Sequence, residues 1–231
     1  NFDLAEVGTD KIKRIDSYQF SSDERKILIA SNRQNIYRHS YSAEFYVYDR
    51  DKKTLEALSA GRQQLADFSP SGDQICFFRA NNLFIKDLQK KKEVQITFDG
   101  KYKYIINGAP DWVYEEEFSF SQAYQWSPDG KRIAFMRFDE SKVKQFNMTV
   151  FKGTNPEKTE NALYPENYTF KYPKAGEDNS IVSVHVYDLQ SAVTKTMDIG
   201  EETDQYIPRM QWTQDPKVLS IVRMNRHQNH Y

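Results

Sequence analysis

Three consecutive glutamates stand in an aromatic frame, in the run Asp111-Trp112-Val113-Tyr114-Glu115-Glu116-Glu117-Phe118. Carboxylates held side by side repel one another, and a partly dry, aromatic setting sharpens that repulsion, so such a segment is poised to accept a cation. The small cation that suits it is a protonated amine. By itself an acidic triplet is more often a solvated turn or an exposed helix start. Trp112, Tyr114 and Phe118 shift the balance, because they would bury one side of the segment while the carboxylates face something polar.

Other reactive residue types give less. Cys76 lies in the apolar run Ile75-Cys76-Phe77-Phe78 and reads as a small buried thiol. With one cysteine there is no disulfide framework and no Cys-rich zinc site. His39, His185, His227 and His230 are scattered, without a His-x-x-x-His or acid pairing, so they read as structural or exposed and neither a metal nor a cofactor is expected. Asn147-Met148-Thr149 and Asn167-Tyr168-Thr169 fit the N-glycosylation sequon, a tripeptide that also occurs often by chance.

The chain has 231 residues, enough for one large domain or a piece of one. Its 32 Lys and Arg nearly balance 33 Asp and Glu, and a net charge of -1 supplies no global field for nucleic acid or an anionic membrane. No stretch approaches the roughly 18 apolar residues of a membrane-spanning helix. The start, Asn1-Phe2-Asp3-Leu4, carries neither a basic nor an apolar export-signal region.

The elements that must position the glutamates announce themselves through a repeated phrase: an aromatic residue, Ser or Thr, a turn rich in Pro, Asp and Gly, then an apolar strand. It appears as Phe20-Ser21-Ser22-Asp23 before Ile27, as Phe68-Ser69-Pro70-Ser71-Gly72 before Ile75, and as Trp126-Ser127-Pro128-Asp129-Gly130 before Ile133. A looser copy is Trp212-Thr213-Gln214-Asp215-Pro216 before Val218. Pro presets the first turn position, Asp bonds back to the backbone and Gly accepts a positive φ, so each copy predicts a hairpin. A second phrase, an apolar strand ending at Asp49, Asp87 or Asp188, follows most copies. Antiparallel repeats of about 45 to 60 residues suit propeller blades better than an irregular sandwich. The fold class expected is all-β, a partial β-propeller with few or no long helices. The surplus between the third and fourth copies, at about 140–175, reads as an extended arm leaving its blade. It includes Lys152-Gly153-Thr154-Asn155-Pro156-Glu157-Lys158 and Tyr172-Pro173-Lys174-Ala175-Gly176.

Three of these segments together, Asp111 to Glu117, Tyr37-Arg38-His39-Ser40-Tyr41-Ser42-Ala43 and Tyr172 to Gly176, resemble the amino-terminal β-propeller of the dipeptidyl peptidase IV family of serine exopeptidases. They fall in the family's order, and the blade phrases between them agree, so the resemblance covers essentially the whole chain. It implies about four antiparallel blades of an expected eight, in an enzyme whose carboxy-terminal α/β-hydrolase domain carries a Ser, Asp, His triad and removes dipeptides, X-Pro or X-Ala, from free N-termini. It further implies that Glu116 and Glu117 hold the substrate's terminal ammonium. On the same resemblance Arg38, which alone would read as an edge-strand cation, is expected to point into the same cavity toward the substrate's first carbonyl, and within the triplet Glu115 is expected to act as a support.

The chemistry itself is missing from the sequence in hand. None of the nine glycines frames a Gly-x-Ser-x-Gly elbow, so no catalytic residue is assigned and the chain is expected to be a non-catalytic recognition and gating propeller, 1–231, lacking the hydrolase domain. The expected partners are peptide N-termini, the parent's hydrolase domain, and a second copy meeting it through open blade ends or the arm; nucleic acid is not expected. The resemblance implies an exported protein. The alternative is a stand-alone propeller serving as a binding or protein-interaction module. A propeller glycosidase fits poorly, because adjacent glutamates on one segment cannot flank a bond from opposite sides.

Overall fold

The computed structural model describes residues 12, 14–151 and 164–231; the 152–158 stretch of the expected arm and the Asn1-Phe2-Asp3-Leu4 start lie outside them. The first sheet runs in the order β1 (Ser17–Phe20), β2 (Lys26–Asn35), β3 (Tyr41–Asp49), β4 (Thr54–Ala57), all antiparallel. The second repeats it with β5 (Gln64–Phe68), β6 (Gln74–Arg79), β7 (Asn82–Asp87) and β8 (Lys92–Gln95). Next come β9 (Ile105–Asn107), a short helix α1 (Trp112–Phe118), β10 (Tyr124–Trp126) and β11 (Arg132–Asp139). A separate two-stranded sheet, β12 (Gln145–Val150) with β13 (Glu166–Lys171), intervenes before β14 (Ile181–Asp188) and β15 (Val193–Thr196) complete the third sheet. That sheet is ordered β10, β11, β14, β15, with β9 also paired to β11. Finally β16 (Gln205–Trp212) pairs with β17 (Leu219–Asn225).

The four copies of the first phrase are the turns joining the first two strands of each sheet. In the third copy the buried Ser127 hydroxyl donates to Asp129 at 2.6 Å and accepts from the Arg132 amide at 2.9 Å. Ser21 makes the same pair of bonds to Asp23 and Lys26. The second phrase ends each third strand with an Asp that accepts the amides two and three residues on, as Asp188 does from Gln190 and Ser191. Both patterns are local side-chain capping of a reversal, which is why they are legible in the sequence.

The apolar core lies between neighbouring sheets. Strand β6 shows how: Ile75 and Phe77 pack toward the first sheet with Leu28, Ala30 and Phe45, whereas Cys76 and Phe78 pack toward the third with Tyr124, Ile133 and Phe135. Alternate residues point to opposite faces, so a strand buried on both faces is apolar throughout. A third cluster joins Ala134, Met136, Phe138 and Val184 to Ile207, Met210 and Met224 of the last sheet. The Tyr124 hydroxyl crosses between sheets, donating to the backbone carbonyls of Leu65 and, at 3.0 Å, Cys76. Burial holds the Cys76 thiol well above its ordinary value, and so unreactive. Repeated four-stranded antiparallel sheets cored against one another are the blades of a partial β-propeller, nearly all β among the described residues, with one short helix among them.

Candidate functional site

Helix α1 carries the glutamates. The triplet's own sequence carries no secondary-structure signal, because seven residues are too few for a helical period to show. The local signal was Asp111: an N-cap aspartate whose side chain accepts the Tyr114 amide at 2.9 Å. Asp111 is 5% exposed, and burial raises its pKa against the opposing hydrogen bond from Ser180, whose hydroxyl donates to it at 2.6 Å. Ser180 stands beside β14 with nothing in its sequence surroundings to mark it. At the other end Ser119 closes the helix in the left-handed conformation, with φ 58° and ψ 43°.

The aromatic frame divides by helical spacing. Tyr114 and Phe118, four residues apart, meet with tilted rings whose centroids are 5.0 Å apart, and reach Phe138 of β11 and Tyr206 of β16. The Tyr114 hydroxyl accepts the Ile207 amide at 3.0 Å, tying the helix to the last sheet. Trp112 faces the two-stranded sheet instead, 4.4 Å from Tyr172 and 6.2 Å from Phe170 between ring centroids. Gly108, ahead of the helix, has φ +85°, and a Cβ there would come within 2.6 Å of the buried Leu83 side chain. Only glycine allows that approach.

The three carboxylates have three environments. Glu115 is 1% exposed, and its Oε1 accepts the backbone amides of His39 and Ser40, each at 2.8 Å. Glu116, with its side chain 16% exposed, pairs with the Arg38 guanidinium at 3.0 Å. Glu117 is exposed and has no ion pair among the described residues. Arg38 lies in the 36–39 bend between β2 and β3 of the first sheet, with its side chain 71% exposed. The chain therefore brings Arg38 and Glu116 into contact across a separation of 78 residues, with Glu117 the next residue along the helix.

Electrostatics favour a cation here. Glu116 and Glu117 sit in the last turn of α1, where backbone carbonyls leave a partial negative charge and the turn itself carries no basic residue. Arg38 offsets one negative charge, and a second positive group would find the other carboxylate unpaired. Near the base of the helix, Glu140 is 6% exposed, and burial followed by the charge of Asp111 pushes its pKa up to about 7. Among the described residues no group of three His, Cys, Asp or Glu side chains could hold a metal ion, and no helix is long and apolar enough to cross a membrane.

Repeated antiparallel blades, cored against their neighbours and bridged by a helix that ends in paired carboxylates, define this chain as a propeller region. It belongs to the family described as the dipeptidyl peptidase IV (DPP IV) N-terminal region, whose model matches residues 21–231. Among curated proteins it is 41% identical over 204 residues to the probable dipeptidyl-aminopeptidase B of Podospora anserina, covering 83% of this chain and 22% of that protein. The protein of the same description from Talaromyces marneffei is 36% identical over 217 residues, 89% of this chain and 24% of that one. The chain thus spans about a quarter of the length of these relatives. Among solved structures, the crystal structure of Porphyromonas gingivalis dipeptidyl peptidase 4 matches 99% of this chain and 32% of its own at a TM-score of 0.91 and 40% identity.

Proposed function

We propose that this chain is the substrate-recognition and gating propeller of an exported dipeptidyl-peptidase-IV-like serine exopeptidase that releases X-Pro or X-Ala dipeptides from peptide N-termini. In this reading Glu116 and Glu117 take the terminal ammonium, Arg38 takes the first carbonyl, and the triad belongs to an α/β-hydrolase domain of the parent protein. Anchored carboxylates recognise a charge found only at a chain terminus and hold it a fixed length from the bond to be cut, so internal cleavage is disfavoured. The observation that carries the reading is the Arg38 to Glu116 pair at 3.0 Å, formed between separate elements beside a second carboxylate. Its forked guanidinium keeps Glu116 oriented while leaving donors for a carbonyl oxygen.

The test uses the full-length protein and a chromogenic X-Pro substrate with a free or an acetylated N-terminus. Glu116→Gln or Glu117→Gln should lower kcat/KM for the free substrate by about 100-fold or more, the loss typical of stranding one member of a buried charge pair. Acetylation should abolish turnover by the unsubstituted protein. Unchanged kinetics in both variants would remove the pair from the site.

Homo-oligomerisation belongs to the same proposal. On the β12–β13 sheet Phe146, Met148 and Tyr168 are 37%, 45% and 45% exposed, and cross-strand pairing places them on one face. Exposed apolar faces of this kind mark protein contacts. Light scattering on the full-length protein should give a dimer or larger, and a clean monomer at micromolar concentration would exclude it.

A further inference from the structure

We propose that Glu115 is a positioning residue for N-terminus recognition: its buried carboxylate holds the 36–40 loop so that Arg38 meets Glu116. This rests on the reading of Arg38, Glu116 and Glu117 as the substrate contacts. The two amides bound by Glu115 Oε1, His39 and Ser40, are the two residues that follow Arg38 in the chain. Adjacent positions on the helix thus grip adjacent positions on the loop, Glu115 by the backbone and Glu116 by the guanidinium.

Among the described residues no other hydrogen bond ties this loop to the helix, and the one ion pair between them is the Arg38 to Glu116 contact itself. Within the loop the Ile36 amide donates to the Ser40 carbonyl at 2.9 Å and the Tyr37 amide to the Ser40 hydroxyl at 3.3 Å, which close the loop on itself. Tyr37 touches Phe170, on the two-stranded sheet, with ring centroids 6.5 Å apart. Arg38 is too exposed to be held by its own packing. Amide donors to a carboxylate are charge-assisted and stronger than neutral ones, and here they span 75 and 76 residues of sequence. With Glu115 fully buried, its carboxylate is spent on the loop and is not presented to a ligand.

The experiment is a double-mutant cycle in the full-length protein, reading kcat and KM separately on the free-N-terminus substrate. Glu115→Ala should reduce kcat/KM by about 100-fold, the scale of an ångström-sized misplacement of a contact group. Glu115→Gln, whose amide oxygen still accepts both amides, should stay within about fivefold of the unsubstituted protein, because the bonds survive even though the charge assistance is lost. In an Arg38→Ala background, Glu115→Ala should cost little more, since both changes remove one function. Multiplicative losses instead would show a general structural role and overturn the proposal. So would normal kinetics in Glu115→Ala beside an impaired Arg38→Ala, an outcome that leaves the substrate reading standing; normal kinetics in Arg38→Ala would overturn both. Should Glu115→Ala fail to fold, hydrogen exchange on the unsubstituted protein decides: the His39 and Ser40 amides should exchange slowly, and fast exchange at both would overturn the proposal.

Discussion

Glu140 follows β11 and faces Asp111 at the cap of α1, with Lys171 of β13 and Lys103 of the loop before β9 also acting on it. Burial is the largest influence and raises its pKa from 4.5 to about 7. A carboxyl whose folded pKa is raised contributes its stability below the unfolded pKa, and that contribution is lost as pH climbs through the folded value. Between about pH 4.5 and 7 the unfolded chain gives up this proton first, so stability falls across that window. Glu140→Gln should therefore raise the melting temperature by several degrees at pH 8, on the scale of about 2 to 4 °C per kcal/mol for a chain of this size, and change it little at pH 4. An equal shift at both pH values would show that Glu140 does not titrate there. Asp111 is the other residue on which the helix turns. Asp111→Ala removes a cap and strands the Ser180 hydroxyl, and should cost about 1 to 3 kcal/mol in urea unfolding; Asp111→Asn, which still caps, should cost less.

At the scale of elements, α1 is a bridge: Asp111 ties it to Ser180 beside β14, Tyr114 to Ile207 in β16, and Glu115 to the loop between β2 and β3. The segment leading into it passes Gly108, packed on Leu83 at the start of β7. Gly108→Ala should destabilise by about 1 to 3 kcal/mol, from strain at positive φ together with an overpacked contact, and calorimetry would read it as a lower melting temperature. A neutral result would mean that Leu83 moves aside freely. The blade turns were legible because Ser, Asp and Gly act within six residues of themselves, as at Ser127, Asp129 and Gly130. The helix was not, because its apolar residues answer to three different neighbours and leave no simple period in seven positions.

For the whole molecule, the acid limit follows from the turns. Hydrogen bonds from Ser21, from Ser127 and from the Ser191 amide hold Asp23, Asp129 and Asp188 below the ordinary carboxylate value. Such depressed carboxyls contribute stability above the unfolded pKa of about 3.9 and lose it as pH falls through their folded values. The melting temperature should therefore drop below about pH 4, a loss that Glu140→Gln does not repair. Ligand binding has a molecular scale too. In the 231-residue chain alone Glu117 is exposed and Arg38 largely so, leaving an ammonium hydrated, and exposed ion pairs are worth about 1 kcal/mol or less. Calorimetry with a free dipeptide at about 1 mM should show no binding to the chain alone, whereas tight binding would mean that the site is complete without further protein.

The sequence by itself determined the repeating unit, the turn chemistry, the two-sided apolar strands and a triplet of carboxylates in an aromatic frame, because each is a property of residues near one another in the chain. Only the tertiary structure decided which carboxylate does what. Glu115 turns inward to amides 75 and 76 residues away, Glu116 meets Arg38, and Glu117 stays open, although the three are chemically identical and consecutive. Helical geometry rotates neighbouring side chains by about 100° each, and what each then meets is set by packing between blades, which no local pattern encodes.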